Sequence, residues 1–309
     1  MKAVCRPGHL LSMLLAFVCV VFGATSSSAV ITCDLECDSG TPSKTVGYSF
    51  GKYTVNLYNI GSTNVCELSV ESDDAGTVFH LSAPVVRGLV TGININSESG
   101  DPISGGTTPV LKLSELLPAP GSGADNVRTI FASLGLKFEV LKEVQNHYGM
   151  SAKRLNKGGP IYLVTWDGAL DRFMDEELQT DIFFIPEVIL RLDRHRLLNA
   201  SACFRARYDE DIAHTRKHFL PTRKVEQFRN APRAKRDTNT ENGILEIAAD
   251  YLYSGREEQA WQALHEMWPA NDQERIKNAL LHVYQTGILA QTDGLDHCEA
   301  EPSAGVTSH

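Results

Sequence analysis

The chain predicts an α+β fold: an antiparallel β-rich N-terminal domain, built as a sandwich or a propeller-like sheet, followed by a C-terminal α-helical hairpin domain. Three observations lead there. Short runs of β-formers alternate with turn-rich segments from residue 45 to about 115. Ile244, Ile247, Ala248 and Tyr251 fall at i, i+3, i+4 and i+7, one face of a helix. Between these parts the composition changes twice, to glycine, serine, proline and threonine over 98–126 and to lysine and arginine over 216–236. The resulting plan is a signal peptide at 1–29, a β-rich domain at 30–200, a helix and basic linker at 201–240, a helical repeat-like domain at 241–290 and a disordered tail at 291–309.

In order, Lys2 and Arg6 give a positive start, residues 10–22 an apolar core and residues 25–29 small residues suited to cleavage after Ala29. The apolar run is short for a membrane span, which needs about 20 residues, and no later stretch is apolar enough. The expected product is secreted or periplasmic, with no transmembrane helix after signal removal. Residues 53–58, 66–70, 77–81 and 85–95 read as strands. So do 136–140 and 161–166. Asp167 and Gly168 suggest a tight hairpin turn with 169–173 as the returning strand. Residues 182–190 form a further strand, kept to an edge or bent by Pro186. Ser201 is placed to cap a helix over 202–219. Beyond it, Gly255 offers a helix stop, and Ala260, Trp261, Leu264, Met267 and Trp268 supply a second helix. Pro269 ends that helix, because the residue before proline is pushed out of the helical region.

Without its first 29 residues the chain carries 27 basic and 38 acidic side chains, a net charge of −11. That argues against nucleic-acid binding by the protein as a whole. Five cysteines remain, and in an oxidising compartment Cys33, Cys37 and Cys66 are the disulfide candidates. Cys33 or Cys37 paired with Cys66 would close an early loop. From Arg216 to Arg236 the chain reverses sign: Arg216, Lys217, Arg223, Lys224, Arg229, Arg233, Lys235 and Arg236 stand against Glu226 alone. This run reads as a solvated, partly helical linker, or as a patch for an anionic surface or an acidic partner. Arg233 to Arg236 also resembles the dibasic processing sites of eukaryotic secretory proteases. Asn199, Ala200 and Ser201 match an N-glycosylation sequon.

Candidate chemistry is sparse. Asp167, Asp171, Asp175, Glu176 and Glu177 lie close in sequence, and Asp167 with Asp171 could act as the acid and base of a glycosidase. The turn accounts for Asp167 and a solvated loop for the residues from Asp175 on. His214 and His218 stand four apart on one helical face, a zinc-chelating spacing, but Thr215 replaces the glutamate of a metalloprotease helix. No catalytic signature, cofactor or metal is expected. The sequence favours an exported, non-catalytic binding or scaffolding protein; a secreted hydrolase using the 167–177 carboxylates is the alternative.

Two resemblances add to this reading. Ile276, Ala279, Leu280, Val283 and Gly287 follow Ile244, Ile247, Ala248, Tyr251 and Gly255 by 32 residues each. Together with Ala260 and Leu264, these positions resemble the tetratricopeptide repeat over residues 244–287. The resemblance implies a helical hairpin that binds a protein partner. The period departs from that family's usual 34, and fewer than three units are present. Asn94, Asn96, Glu98 and Asp101 follow a strand in a pattern similar to the VCBS or FG-GAP repeats of secreted β-propellers, in which aspartates bind calcium. Asparagine at two of the positions argues against an ion here.

Overall fold

The structure, a computed structural model, describes residues 31–36, 44–60, 65–84, 90–95, 110–117, 126–156, 159–172 and 185–298. These residues form a mixed α+β chain of antiparallel sheets with strands first and helices last. They divide into two compact units, one of residues up to 145 with 156–161, the other of 146–155 with the residues from 162 on.

The first unit holds two sheets. In one, β2 (Lys44–Phe50), β3 (Tyr53–Ile60), β4 (Val65–Ser72) and β5 (Gly76–Pro84) form a meander. Phe50 pairs with Tyr53 across a two-residue loop whose first residue, Gly51, has φ +58°, as a primed hairpin turn requires. The alternation legible in β3 is the inward face: Tyr53 and Val55 are buried, Thr54 and Asn56 are not. The other sheet has the order β1-β6-β7-β8-β9, with β1 at Ile31–Glu36, β6 at Val90–Ile95, β7 at Val110–Leu117, β8 at Asn126–Leu134 and β9 at Phe138–Asn146. Leu111, Lys112 and Leu113 in β7 and Ile130, Phe131 and Ala132 in β8 are buried, so both faces of these inner strands are covered along those stretches. The two sheets touch. The Tyr53 hydroxyl donates to the Gly135 carbonyl at 3.0 Å, and the Phe138 ring meets those of Tyr53 and Phe79 at 6.4 and 5.5 Å. The strand expected at 136–140 starts later, because 135–137 form the turn into β9.

The second unit begins with a four-stranded sheet of β10 (Ser151–Arg154), β11 (Ile161–Trp166), β12 (Glu187–Asp193) and β13 (Arg196–Asn199) in that order. Two expectations change here. The returning strand expected at 169–173 is not formed over the described residues 169–172: Gly168–Arg172 is a 3₁₀ turn, started where the Asp167 carboxylate accepts the Ala169 N–H at 3.1 Å. Gly168 packs tightly on His147, where an added Cβ would lie 2.3 Å from the His147 Cβ. Ser201 does not cap the following helix. Its hydroxyl accepts the Ile189 N–H at 3.0 Å and donates to the Ile189 carbonyl, which ties it to β12.

Five α-helices follow: α1 (Arg205–His218), α2 (Thr222–Asn230), α3 (Thr238–Tyr253), α4 (Glu257–Met267) and α5 (Gln273–Thr286). The basic stretch expected as a partly helical linker is the end of α1, all of α2 and a short 3₁₀ turn, Arg233–Lys235. Helix α3 is the axis of the unit. Asp237 caps it, accepting from the Thr240 N–H at 3.0 Å and the Thr240 hydroxyl at 2.6 Å. Ile244, Leu245, Ile247, Ala248, Ala249, Leu252 and Tyr253 are buried around nearly its whole girth, and α1, α2 and α4 pack on it. Gly255, at φ +74°, turns the chain into α4. Glu257 and Glu258 sit in the first turn of α4, where the helix dipole favours them. Before Pro269, Trp268 is extended at ψ 149°, as proline demands. Trp268 is fully buried with its ring edge-on to Phe228 of α2, whereas Trp261 stays partly exposed under Lys277.

The segment expected as a tail is anchored through residue 298. Leu295 bridges Asn199 in parallel, Asp293 N–H donates to the Leu197 carbonyl at 2.6 Å, and buried Asp296 pairs with Arg191. A disulfide between Cys203 and Cys298 locks it, with Cα atoms 5.2 Å apart. Cys33, Cys37 and Cys66 fall where side chains lie outside the described residues, as does the loop from Asn96 to Asp101.

Candidate functional site

Asp167 follows β11 and is buried from solvent. Its Oδ2 accepts the Tyr253 hydroxyl at 2.7 Å, and its Oδ1 accepts the N–H groups of Ala169 at 3.1 Å and Ile288 at 3.4 Å. Burial pushes its carboxyl above the usual range, and the Tyr253 hydroxyl and the two amides work against that. Burial and the nearby carboxylate raise the Tyr253 phenol as well, so it remains a donor. The backbone passes so close at Gly287 that a Cβ there would stand 2.3 Å from Asp167 Oδ2. This is a closed tie between β11, α3 and the end of α5. It leaves no oxygen facing a substrate. Asp171 lies in the 3₁₀ turn, and the side chains of 171–184 are outside the described residues.

A second buried carboxylate, Asp250 of α3, is solved differently. Burial pushes it well above the usual range, and Glu246 beside it and Asp211 of α1 push it further. Among the described residues Oδ2 of Asp250 has no hydrogen-bond partner. Glu246 is also raised by burial, while the Thr215 hydroxyl opposes this. The seam between α1 and α3 thus gathers carboxyls that burial and their mutual repulsion raise. Among the described residues no group of three His, Cys, Asp or Glu side chains could hold a metal ion. His214 and His218 stack at 4.4 Å between ring centroids, both exposed.

The basic run spans two helices and a turn. Arg216 and Lys217 end α1, Arg223, Lys224 and Arg229 project from α2, and Arg233 and Lys235 lie in the 3₁₀ turn; all seven are exposed. They are displayed because α2 buries one side chain only, Phe228, against the Trp268 ring. Arg236 stands apart from them. Its side chain is 6% exposed, it pairs with Asp272 at 3.3 Å and it lies over the Phe228 ring at 5.5 Å. Asp272 is held below the usual carboxylate range mainly by its hydrogen bonds to Arg275. Beside α2 opens a cleft of about 340 Å³ lined by Lys224, Gln227, Phe228, Ala231, Lys235, Asp237 and Thr240. Its lining brings two lysines and the Asp237 carboxylate beside the Phe228 ring.

The sequence marked the cations and Asp167 by number. It carried no signal for the Tyr253 and Ile288 partners of Asp167, for the buried Asp250, or for the pairing of Cys203 with Cys298. No family model, curated protein or solved structure matches the chain. Among the described residues no helix is long and apolar enough to cross a membrane.

Proposed function

We propose that this chain is an exported, non-catalytic binding protein whose helical unit takes a protein partner with an acidic surface. The observation that carries the reading is the set of seven exposed cations on α1, α2 and the adjoining turn, on a chain whose overall charge is negative. A cationic face on an anionic protein is oriented by its own field, so an acidic partner is steered to one place. The likeness of 244–287 to a tetratricopeptide hairpin agrees with a protein partner, and the touching sheets of the first unit agree with a sandwich-like binding domain. Glycoside hydrolysis loses support at Asp167, because both oxygens are engaged inside the protein and a general acid must reach its substrate.

The test is binding of a glutamate-rich peptide, against a glutamine-rich control, over a salt series. The expected result is salt-sensitive binding that Lys224→Glu with Lys235→Glu weakens about tenfold or more. Equal binding of both peptides, or an unchanged affinity in the double variant, ends the reading. An assay panel on polysaccharides with Asp167→Asn as control covers the hydrolase alternative; turnover lost in that variant would restore it.

A further inference from the structure

Residues 233–236 read Arg-Ala-Lys-Arg and are followed by Asp237. They form the connection between α2 and α3, between Pro232 at ψ 145° and Arg236 at ψ 140°. Two backbone hydrogen bonds shape the turn, Lys235 N–H to the Pro232 carbonyl at 2.8 Å and Arg236 N–H to the Arg233 carbonyl at 3.2 Å. Arg233, Ala234, Lys235 and Asp237 are exposed. We infer that the Arg236–Asp237 peptide bond is the cleavage site of a serine endoprotease whose acidic subsites read Arg236, Lys235 and Arg233, and that the two product chains stay joined through Cys203 and Cys298. The inference rests on the export reading, since a lasting disulfide belongs to an oxidising route.

Specificity follows from charge. Guanidinium and ammonium groups one, two and four positions before a bond offer three separate pairings to carboxylate-lined pockets, and few surface segments offer all three. The chemistry is ordinary hydrolysis. The protease serine adds to the Arg236 carbonyl carbon, the bond to the Asp237 nitrogen breaks, and that nitrogen takes a proton. Water then releases Arg236 as a carboxylate. No oxidant or cofactor enters.

The fold meters this step. A protease needs the segment extended and the Arg236 side chain in its pocket. Extension sacrifices the two hydrogen bonds of a three-residue turn. Arg236 must also leave Asp272 and the Phe228 ring. Its Nε is buried without a hydrogen-bond partner among the described residues, so part of what it would lose was never made. After the cut, Cys203 lies on one product and Cys298 on the other, 95 residues apart in the sequence. The new Asp237 ammonium stands at the N-terminus of α3, where the helix dipole disfavours positive charge.

The experiment uses the purified, disulfide-intact chain and a subtilisin-like proprotein convertase. Wild type is expected to run as one species unreduced and as two fragments after reduction, the second beginning at Asp237. Arg236→Ala should remain whole at this bond, and Arg233→Ala should slow the cut about tenfold. Asp272→Asn, which loosens Arg236, should speed it about threefold with the cut still confined to this bond. The inference is overturned if wild type and Asp272→Asn both stay intact while a free peptide of residues 229–241 is cut. Cutting of Arg236→Ala at the same rate overturns it too, as do fragments that separate without reductant. Location in cells is read apart from this: a chain confined to the cytosol fails the export reading, whatever the purified protein does.

Discussion

Helices α3 and α5 end on glycines at matching places of the apparent 32-residue repeat, and the two ends work differently. Gly255 has φ +74°, a left-handed turn that a side chain makes costly, and α4 follows at once. Gly287 has φ −77°, open to any residue, and one 3₁₀ turn, Ile288–Gln291, follows. What Gly287 supplies is space, because the Asp167 carboxylate fills the position a Cβ would take. One glycine sets the direction of the chain. The other makes room for a buried, hydrogen-bonded acid. The same letter at the same offset thus answers two physical demands, and substitution separates them.

The largest expected effect is at Gly287. Gly287→Ala forces the Asp167 carboxylate away from Tyr253, Ala169 and Ile288 and should destabilise the unit by about 3 kcal/mol in denaturant unfolding. A loss below about 1 kcal/mol would mean that the approach is not tight. Next is the α3–α4 hairpin itself, where Ala260 is fully buried. Ala260→Leu should overpack it by about 2 kcal/mol. Lys277→Ala, on α5, should cost about 0.5 kcal/mol or less, and equal stabilities of these two variants would undo the packing argument. Gly255→Ala comes third, at about 1 kcal/mol. Its added Cβ would meet Ala202 at an ordinary 3.4 Å, so the cost is conformational, and Gly255→Asn should recover part of it.

The last prediction concerns pH. Asp167, Glu241, Glu246 and Asp250 are all raised by burial. An acid with a raised folded value binds its proton more tightly when folded. Its stabilising effect is complete below the unfolded value, near about 4, and is lost as pH rises from there through the folded value. Asp272 is lowered and acts oppositely, its contribution fading as pH falls through its folded value. The melting temperature of the chain should therefore decline from mildly acid towards neutral pH, and Asp250→Asn should flatten that decline. A melting curve that rises over this range, or the same slope in the variant, would show that the α1–α3 seam is ionised at no cost.

Much of the secondary structure was legible because burial here follows period. The alternation of Tyr53 and Val55, the run at 161–166 and the stop before Pro269 are each decided by neighbours in sequence. Legibility failed where a distant group intervened. Asp167 and Gly168 carry a hairpin signal, but the Asp167 side chain starts a 3₁₀ turn and His147 sits against Gly168. Ser201 has the chemistry of a cap, and β12 claims its hydroxyl. The basic run was readable as charge and only in part as helix, since α2 is anchored by one ring. For the candidate site the cations could be counted in advance. That Arg236 is withdrawn from them depends on Asp272 and Phe228, which no spacing rule connects to it.

The bond between Cys203 and Cys298 also decides how the molecule bears load. Tension entering along the chain at Cys203 crosses to Cys298 through sulfur, over Cα atoms 5.2 Å apart. The backbone that carries α1 to α5 is bypassed as a covalent path. Reduction places the 95-residue interval in series instead. The same pull would then unravel the helices and lengthen the tether by about 300 Å.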